Sequence, residues 1–121
     1  MKMLSAQQIF NKSARLLMKQ RRKCVANGVC VMRSKSGKLA CAVGCLIKPG
    51  VYEEQVGDDI SSYESQLHLS GVDTFIHRYI LSDLQFVHDA TPVRKWAGEL
   101  RTVAADHGLK LIPELKEKAH A

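Results

Sequence analysis

The first 52 residues contain eleven lysines and arginines and no aspartate or glutamate, and nothing else in the sequence constrains the fold as strongly. A segment without carboxylates cannot pair its own cations. Each of them must reach water or borrow a partner from later in the chain, because an unpaired charge is too costly to bury. The cations therefore mark the outer surface of whatever this segment becomes. The remaining residues carry 7 positive and 12 negative charges, so the two parts hold +11 and −5 of the net +6. A surface field of that sign draws anionic partners.

Composition is otherwise that of an ordinary globular chain. With 45% hydrophobic and 25% charged residues in 121, one domain is expected, placed at residues 1–115 and followed by a frayed tail at 116–121. At this length roughly two thirds of the unfolded surface is buried on folding, so neither disulfide nor structural metal is obligatory. Four cysteines are too few for a disulfide scaffold and are expected as free thiols in a reducing compartment. The longest apolar run, residues 39–47, falls short of the roughly 18 to 20 residues a membrane helix needs. The opening Met1-Lys2-Met3-Leu4-Ser5 lacks an apolar core of signal-peptide length. A cytoplasmic protein is the expectation.

The pattern of residues predicts an α+β domain: an N-terminal helix, a short β-hairpin and a mainly helical C-terminal half. Ser5-Ala6-Gln7-Gln8 has the form of a capping box and should open the first helix. Ile9, Phe10, Ser13, Leu16 and Leu17 form its inner stripe, and Lys12, Arg15, Lys19 and Arg22 recur on another face. Asn27-Gly28 should end the linker that follows. The strands of the hairpin are expected at residues 29–32 and 38–40, around a charged Ser34-Lys35-Ser36-Gly37 loop. Residues 41–47 could continue the strand or form one or two helical turns, and the small residues Cys41, Ala42, Gly44 and Cys45 favour a short helix packed closely on another backbone. Residues 51–70 read as a long, partly ordered connection.

Further on, Val72, Phe75, Ile76, Tyr79, Ile80, Leu84 and Val87 recur near helical spacing, with Asp73 and Asp83 near helix starts and Ser82 as the cap of a second short helix. Thr91-Pro92 reads as an N-cap and first-turn proline. The final helix is expected over residues 92–107, with Val93, Trp96, Ala97, Leu100, Val103 and Ala104 inward and Gly108 as its stop. Residues 109–112 should add a short strand or pack on the core.

The boxes Gln8-Ile9-Phe10, Cys41-Ala42-Val43-Gly44-Cys45-Leu46-Ile47 with Tyr52 beyond it, and Leu84-Gln85-Phe86-Val87-His88-Asp89 are spread over nearly the whole chain. Together they resemble a family of small, mostly uncharacterised bacteriophage and prophage proteins that combine a Q-x-I-F-type helix, a short hairpin, a C-A-[VI]-G-C-L-I box and an L-Q-x-V-H-D box. The resemblance implies a phage or prophage setting and an α+β fold; it transfers no activity and no catalytic residue. The family often has a neutral or acidic hairpin turn, where this chain has Lys35 and Lys38.

Four constellations could carry chemistry. Cys24, Cys30, Cys41 and Cys45 lack the tight spacing that points two thiolates at one ion, and buried structural thiols are expected, with no metal. Adjacent residues on a helix point in different directions, so His88-Asp89 is expected to end a helix and bond the loop toward Thr91. A cysteine nucleophile from Cys41 or Cys45 working with His88 is an alternative from a different functional class. No phosphate loop, dinucleotide fingerprint, zinc-protease pair or nucleophile elbow is present, so no cofactor and no catalytic residue is assigned.

The fourth is the basic run. Lys12, Arg15, Lys19, Arg21, Arg22, Lys23, Arg33, Lys35 and Lys38 place nine cations in 27 residues without a counter-charge. They define the candidate partner-binding surface of a non-enzymatic, host-modulating accessory protein. Its partner would be an acidic protein surface, a nucleic acid or a phosphorylated ligand, with self-association also open and no membrane. Sequence-independent nucleic-acid binding is an alternative, weakened by the lack of base-stacking aromatics in the run. Pairing of these cations with the chain's own later carboxylates is the competing expectation.

Overall fold

The structure is a computed structural model that describes residues 2–57 and 59–116. Helix α1 spans Ala6–Gln20, and Ser5 caps it: its hydroxyl accepts the Gln8 amide while the Gln8 side chain accepts the Ser5 amide. The capping box thus closes as its residues predict. Ile9, Phe10, Ala14 and Leu17 are fully buried, and Lys12, Arg15 and Lys19 lie outward. Two further helices, α3 (Arg78–Ala90) and α4 (Trp96–Asp106), pack on α1 and on each other. Trp96 fills the centre and donates its indole N–H to the Thr91 carbonyl at 2.9 Å.

The hairpin lies one turn earlier than its sequence suggests. Strands β1 (Val25–Ala26) and β2 (Val29–Cys30) pair antiparallel, with Val25 opposite Cys30 and Ala26 opposite Val29. Asn27 and Gly28 are therefore the two-residue turn, not the end of a linker. Both have positive φ, 53° and 78°, the conformation that suits the twist of a tight hairpin. The expected pairing of residues 29–32 with 38–40 is reduced to a single bridge, Arg33 to Ala40, around the Ser34 to Gly37 loop.

The small-residue box behaves as predicted. A 3₁₀ turn at Gly44–Leu46 packs against α1. Gly44 lies so close to the Met32 backbone that a Cβ there would sit 2.2 Å from its carbonyl oxygen.

Residues 51–70 are more ordered than a connection. A 3₁₀ turn, Ile60–Tyr63, runs into a short helix α2, Glu64–Leu69, and buries Tyr63 and Leu67. Asp59 initiates it by accepting the Ser62 amide. A six-residue helix is too short to show a period. Farther along, Asp73 caps a turn through the amides of Phe75 and Ile76, and α3 begins only at Arg78. Ser82 and Asp83 fall inside α3 and cap nothing. Phe75, Ile76 and Tyr79, placed inward by spacing alone, are exposed.

Thr91 likewise gives no side-chain cap. Pro92 leads a 3₁₀ turn, Val93–Lys95, before α4 starts. Gly108, at φ 65°, follows the end of α4 as expected. Residues 109–112 form no strand, and Ile112 and Leu115 pack on the core. In the expected tail Lys116 is exposed, and residues 117–121 lie outside the described residues.

With so little sheet, the loops satisfy their backbone groups through glutamine side chains. Three amides each grip both the N–H and the C=O of one distant residue: Gln7 holds Lys110, Gln20 holds Ala40 and Gln66 holds Glu53, at 2.7 to 3.0 Å. Each replaces one rung of a strand ladder and keeps the backbone polar groups of a loop paired. Among the described residues, no helix is long and apolar enough to cross a membrane.

Candidate functional site

Two clusters of chemically capable side chains emerge. The first joins the hairpin to the end of α3. His88 is fully buried; its Nε2 accepts the Cys24 amide at 2.9 Å, and its Nδ1–H donates to Asp89 Oδ1 at 2.6 Å. The neighbours thus bond directly, against the expectation from helical geometry. Asp89 follows at the last turn of α3, where its carboxylate can swing back to the ring. The same carboxylate oxygen accepts Gln85 Nε2 at 2.9 Å, and the Cys30 thiol also donates to Asp89. Lys23 Nζ donates to the Asp89 carbonyl at 3.1 Å.

Cys30, His88 and Asp89 bring potential metal ligands within 4.8 Å of one another. The tautomer argues against an ion. Because a backbone N–H can only donate, Nε2 must carry the lone pair and Nδ1 the proton. A cation at Nδ1 would need that proton removed while Nε2 still faces an N–H, which leaves an imidazolate.

Nucleophilic chemistry is equally disfavoured. Burial, then the nearby Asp89 charge, raises the Cys30 pKa. Burial pushes Cys41 and Cys45 up to about 12, Cys45 with help from Cys41. Thiols so shifted stay protonated at neutral pH and are poor nucleophiles. Cys41 contacts Met32 Sδ at 3.4 Å, and Cys45 donates to the Ala42 carbonyl. Both nitrogens of His88 are already bonded within the first cluster, so it offers neither thiol a base.

This cluster instead ties the two sequence boxes together. Gln85 accepts the Val43 amide at 3.1 Å, Leu84 and Val87 are buried, and His88 and Asp89 hold the hairpin. Phe86 is the one apolar member of its box that faces solvent.

Asp89 also links the cluster to pH. Partial burial pushes its pKa up, but the hydrogen bonds from His88, Gln85 and Cys30 outweigh this and hold it below the ordinary 3.8. Asp59 is lowered by the Ser62 hydroxyl and amide, and Asp73 by the Ile76 and Phe75 amides. The folded state therefore binds fewer protons than the unfolded chain near that pH. The stabilisation is complete above 3.8 and is lost as pH falls through the lower folded-state values. Urea midpoints measured against pH should fall on acidification below about 4, and Asp89→Asn should make that fall shallower. An unchanged acid limb in the variant would show that Asp89 does not contribute.

The second cluster is the outer face of α1. Lys12, Arg15 and Lys19 line one open groove of about 370 Å³, with Leu16 and Cys45 between them. Arg21, Arg22, Lys35 and Lys38 are also exposed, while Lys23 and Arg33 are partly withdrawn. Arg33 departs furthest from the expected surface: its guanidinium donates to the Gly44 and Ile47 carbonyls and lies 5.0 Å from the centre of the Tyr52 ring. Lys35 sits beside Arg33, Tyr52 and Glu54, in a groove separate from that of α1.

Among the described residues, Arg15 with Glu114 at 3.9 Å is the one ion pair that any of the nine cations makes. Both side chains are about half exposed, so the pair contributes little. Internal pairing therefore leaves most of the basic run unneutralised within the described chain. Searches with family models, among curated proteins and among solved structures find no match to the chain.

Proposed function

We propose that this chain is a small non-enzymatic binding protein that docks an acidic protein surface on the outer face of α1. The observation that carries the reading is the α1 groove, where Lys12, Arg15 and Lys19 surround the apolar side chain of Leu16. Three cations around an apolar floor suit a protein segment that offers carboxylates together with an apolar anchor. A phosphate backbone has no group for that floor, and no aromatic side chain lines the groove to stack a base. Arg21 and Arg22 extend the charge beyond the end of the helix and add to long-range steering. The resemblance to small bacteriophage and prophage proteins supports a host-modulating role in the cytoplasm of an infected cell.

Nucleic-acid binding is the second reading, favoured by the number of exposed cations, Lys12, Arg15, Lys19, Arg21, Arg22, Lys35 and Lys38. A titration separates the two: an amphipathic Glu/Leu peptide against double-stranded DNA, each followed from low to physiological salt. The peptide should bind the folded chain, with about tenfold weaker affinity for the Lys12→Glu/Lys19→Glu variant. Preferential DNA binding with a steep salt slope would replace the reading by the nucleic-acid one. Absence of binding to either polyanion at low salt would end both.

A further inference from the structure

The outer face of α3, together with the Asp73 turn that precedes it, carries a second surface of opposite character. Phe75, Ile76, Tyr79 and Phe86 are 71, 67, 67 and 64% exposed, an apolar concentration well beyond isolated surface residues. At one end, Arg78 covers the aromatics itself, with its guanidinium 4.3 Å from the Phe75 ring centre and 4.7 Å from that of Tyr79. At the other end, among the described residues, no cation covers Phe86.

Phe86 instead stands between two grooves. One includes Asp59 and Asp89, the other Asp83, Glu99 and Asp106, and neither has a lysine or arginine in its lining. All five carboxylate residues are exposed. Of these, Asp89 is held by His88 and Asp83 by His107, whose Nε2 lies 2.8 Å from its carboxylate. The buried faces of α1 and α3 meet in the core, so the outer face of α3 is turned away from the α1 groove, and Lys23 reaches the Asp89 carbonyl at the margin between them.

We infer that the outer face of α3, centred on Phe86, docks a cationic segment of another protein, one that sets lysine or arginine among the carboxylates and an apolar or guanidinium group on the ring. Charge complementarity selects this occupant. Five carboxylates around the ring repel a second acidic surface, and an uncovered aromatic face attracts a cation beyond what charge alone gives. Helix-in-groove recognition uses the same combination of apolar anchors and flanking charge. The molecule would then bridge two partners of opposite charge from separate faces.

The probe is an amphipathic Lys/Leu peptide titrated into the full chain, with the Glu/Leu peptide as its counterpart. The parent chain should bind the Lys/Leu peptide in a salt-sensitive manner. Phe86→Ser, whose fold is checked by its thermal melt, should weaken that binding about tenfold, and Glu99→Lys/Asp106→Lys should do so independently. Lys12→Gln/Lys19→Gln, which adds no carboxylate to the α1 groove, should weaken the Glu/Leu peptide and leave the Lys/Leu peptide bound as before, which separates the two sites. Equal affinity for parent and Phe86→Ser would reduce the effect to diffuse attraction and overturn the inference. So would self-association of the chain in sedimentation that Phe86→Ser abolishes, because the occupant would then be a second copy.

Discussion

Gly44→Ala is expected to destabilise the protein by about 3 kcal/mol or more, near the upper end of what overpacking a rigid site costs. The added methyl would lie 2.2 Å from the Met32 carbonyl oxygen and 2.8 Å from its carbon. Both atoms are backbone, and Met32 is pinned because its carbonyl accepts the Cys41 amide at 3.0 Å. Relief therefore requires the 3₁₀ turn to move off Met32, which disturbs its packing on α1. Gly98, in α4, supplies the contrast. Nothing lies within 4 Å of its notional Cβ, and its φ is not in the left-handed region. Gly98→Ala should stabilise by up to about 1 kcal/mol through helix propensity. Urea denaturation of the two variants gives opposite signs if close approach is what fixes Gly44; a small effect at Gly44 would show that the turn can shift freely.

His88→Ala should cost about 4 kcal/mol, a large share of the roughly 5 to 15 kcal/mol that stabilises a domain of this kind. The change removes a fully buried ring whose centre is 5.7 Å from that of Trp96, leaves the Cys24 amide without its acceptor and frees Asp89 from its donor. His88→Phe separates these contributions. It keeps a ring of similar size beside Trp96 but removes both hydrogen bonds, so the stranded Cys24 amide should still cost about 1 to 3 kcal/mol. A His88→Phe variant as stable as the parent would show that packing alone fixes the position. A metal-dependent role makes a different forecast, since stability would then rise with added zinc; the tautomer set by Cys24 predicts no such rise.

What could be read from the sequence was whatever is encoded locally and repeated often enough to be seen. The α1 cap needs only Ser5 and Gln8, and the stop of α4 needs only Gly108. The box of small residues could be interpreted because small side chains have few other uses in a close-packed turn. The α+β class and its order of helix, hairpin and helices follow from those signals.

Elements that fail such a test were missed for physical reasons. Strands of two residues have no alternation to display, so the alternation around Ser34 to Gly37 points to the wrong hairpin although Asn27-Gly28 carries the stronger turn chemistry. Helix α2, six residues long, is likewise too short to show its period. The glutamine bridges join residues as far apart as Gln7 and Lys110, and no local pattern announces them. The spacing of Phe75, Ile76 and Tyr79 matched a buried stripe, because periodicity identifies an apolar face without saying what covers it. The site was only partly legible. Charge counting found Lys12, Arg15 and Lys19, but it also included Arg33, which the fold turns toward its own carbonyls. Nothing in the sequence paired His88 with Cys24, a contact made across 64 positions.

The α1 groove is the centre of the functional reading, and mapping bound peptide onto the backbone amides tests it most directly. Two-dimensional NMR of the full chain titrated with the Glu/Leu peptide should show shifts concentrated at Lys12, Arg15, Leu16, Lys19 and Cys45, saturating together and reversed by added salt. Shifts centred on the α3 face, or no saturable change at low salt, would contradict the account.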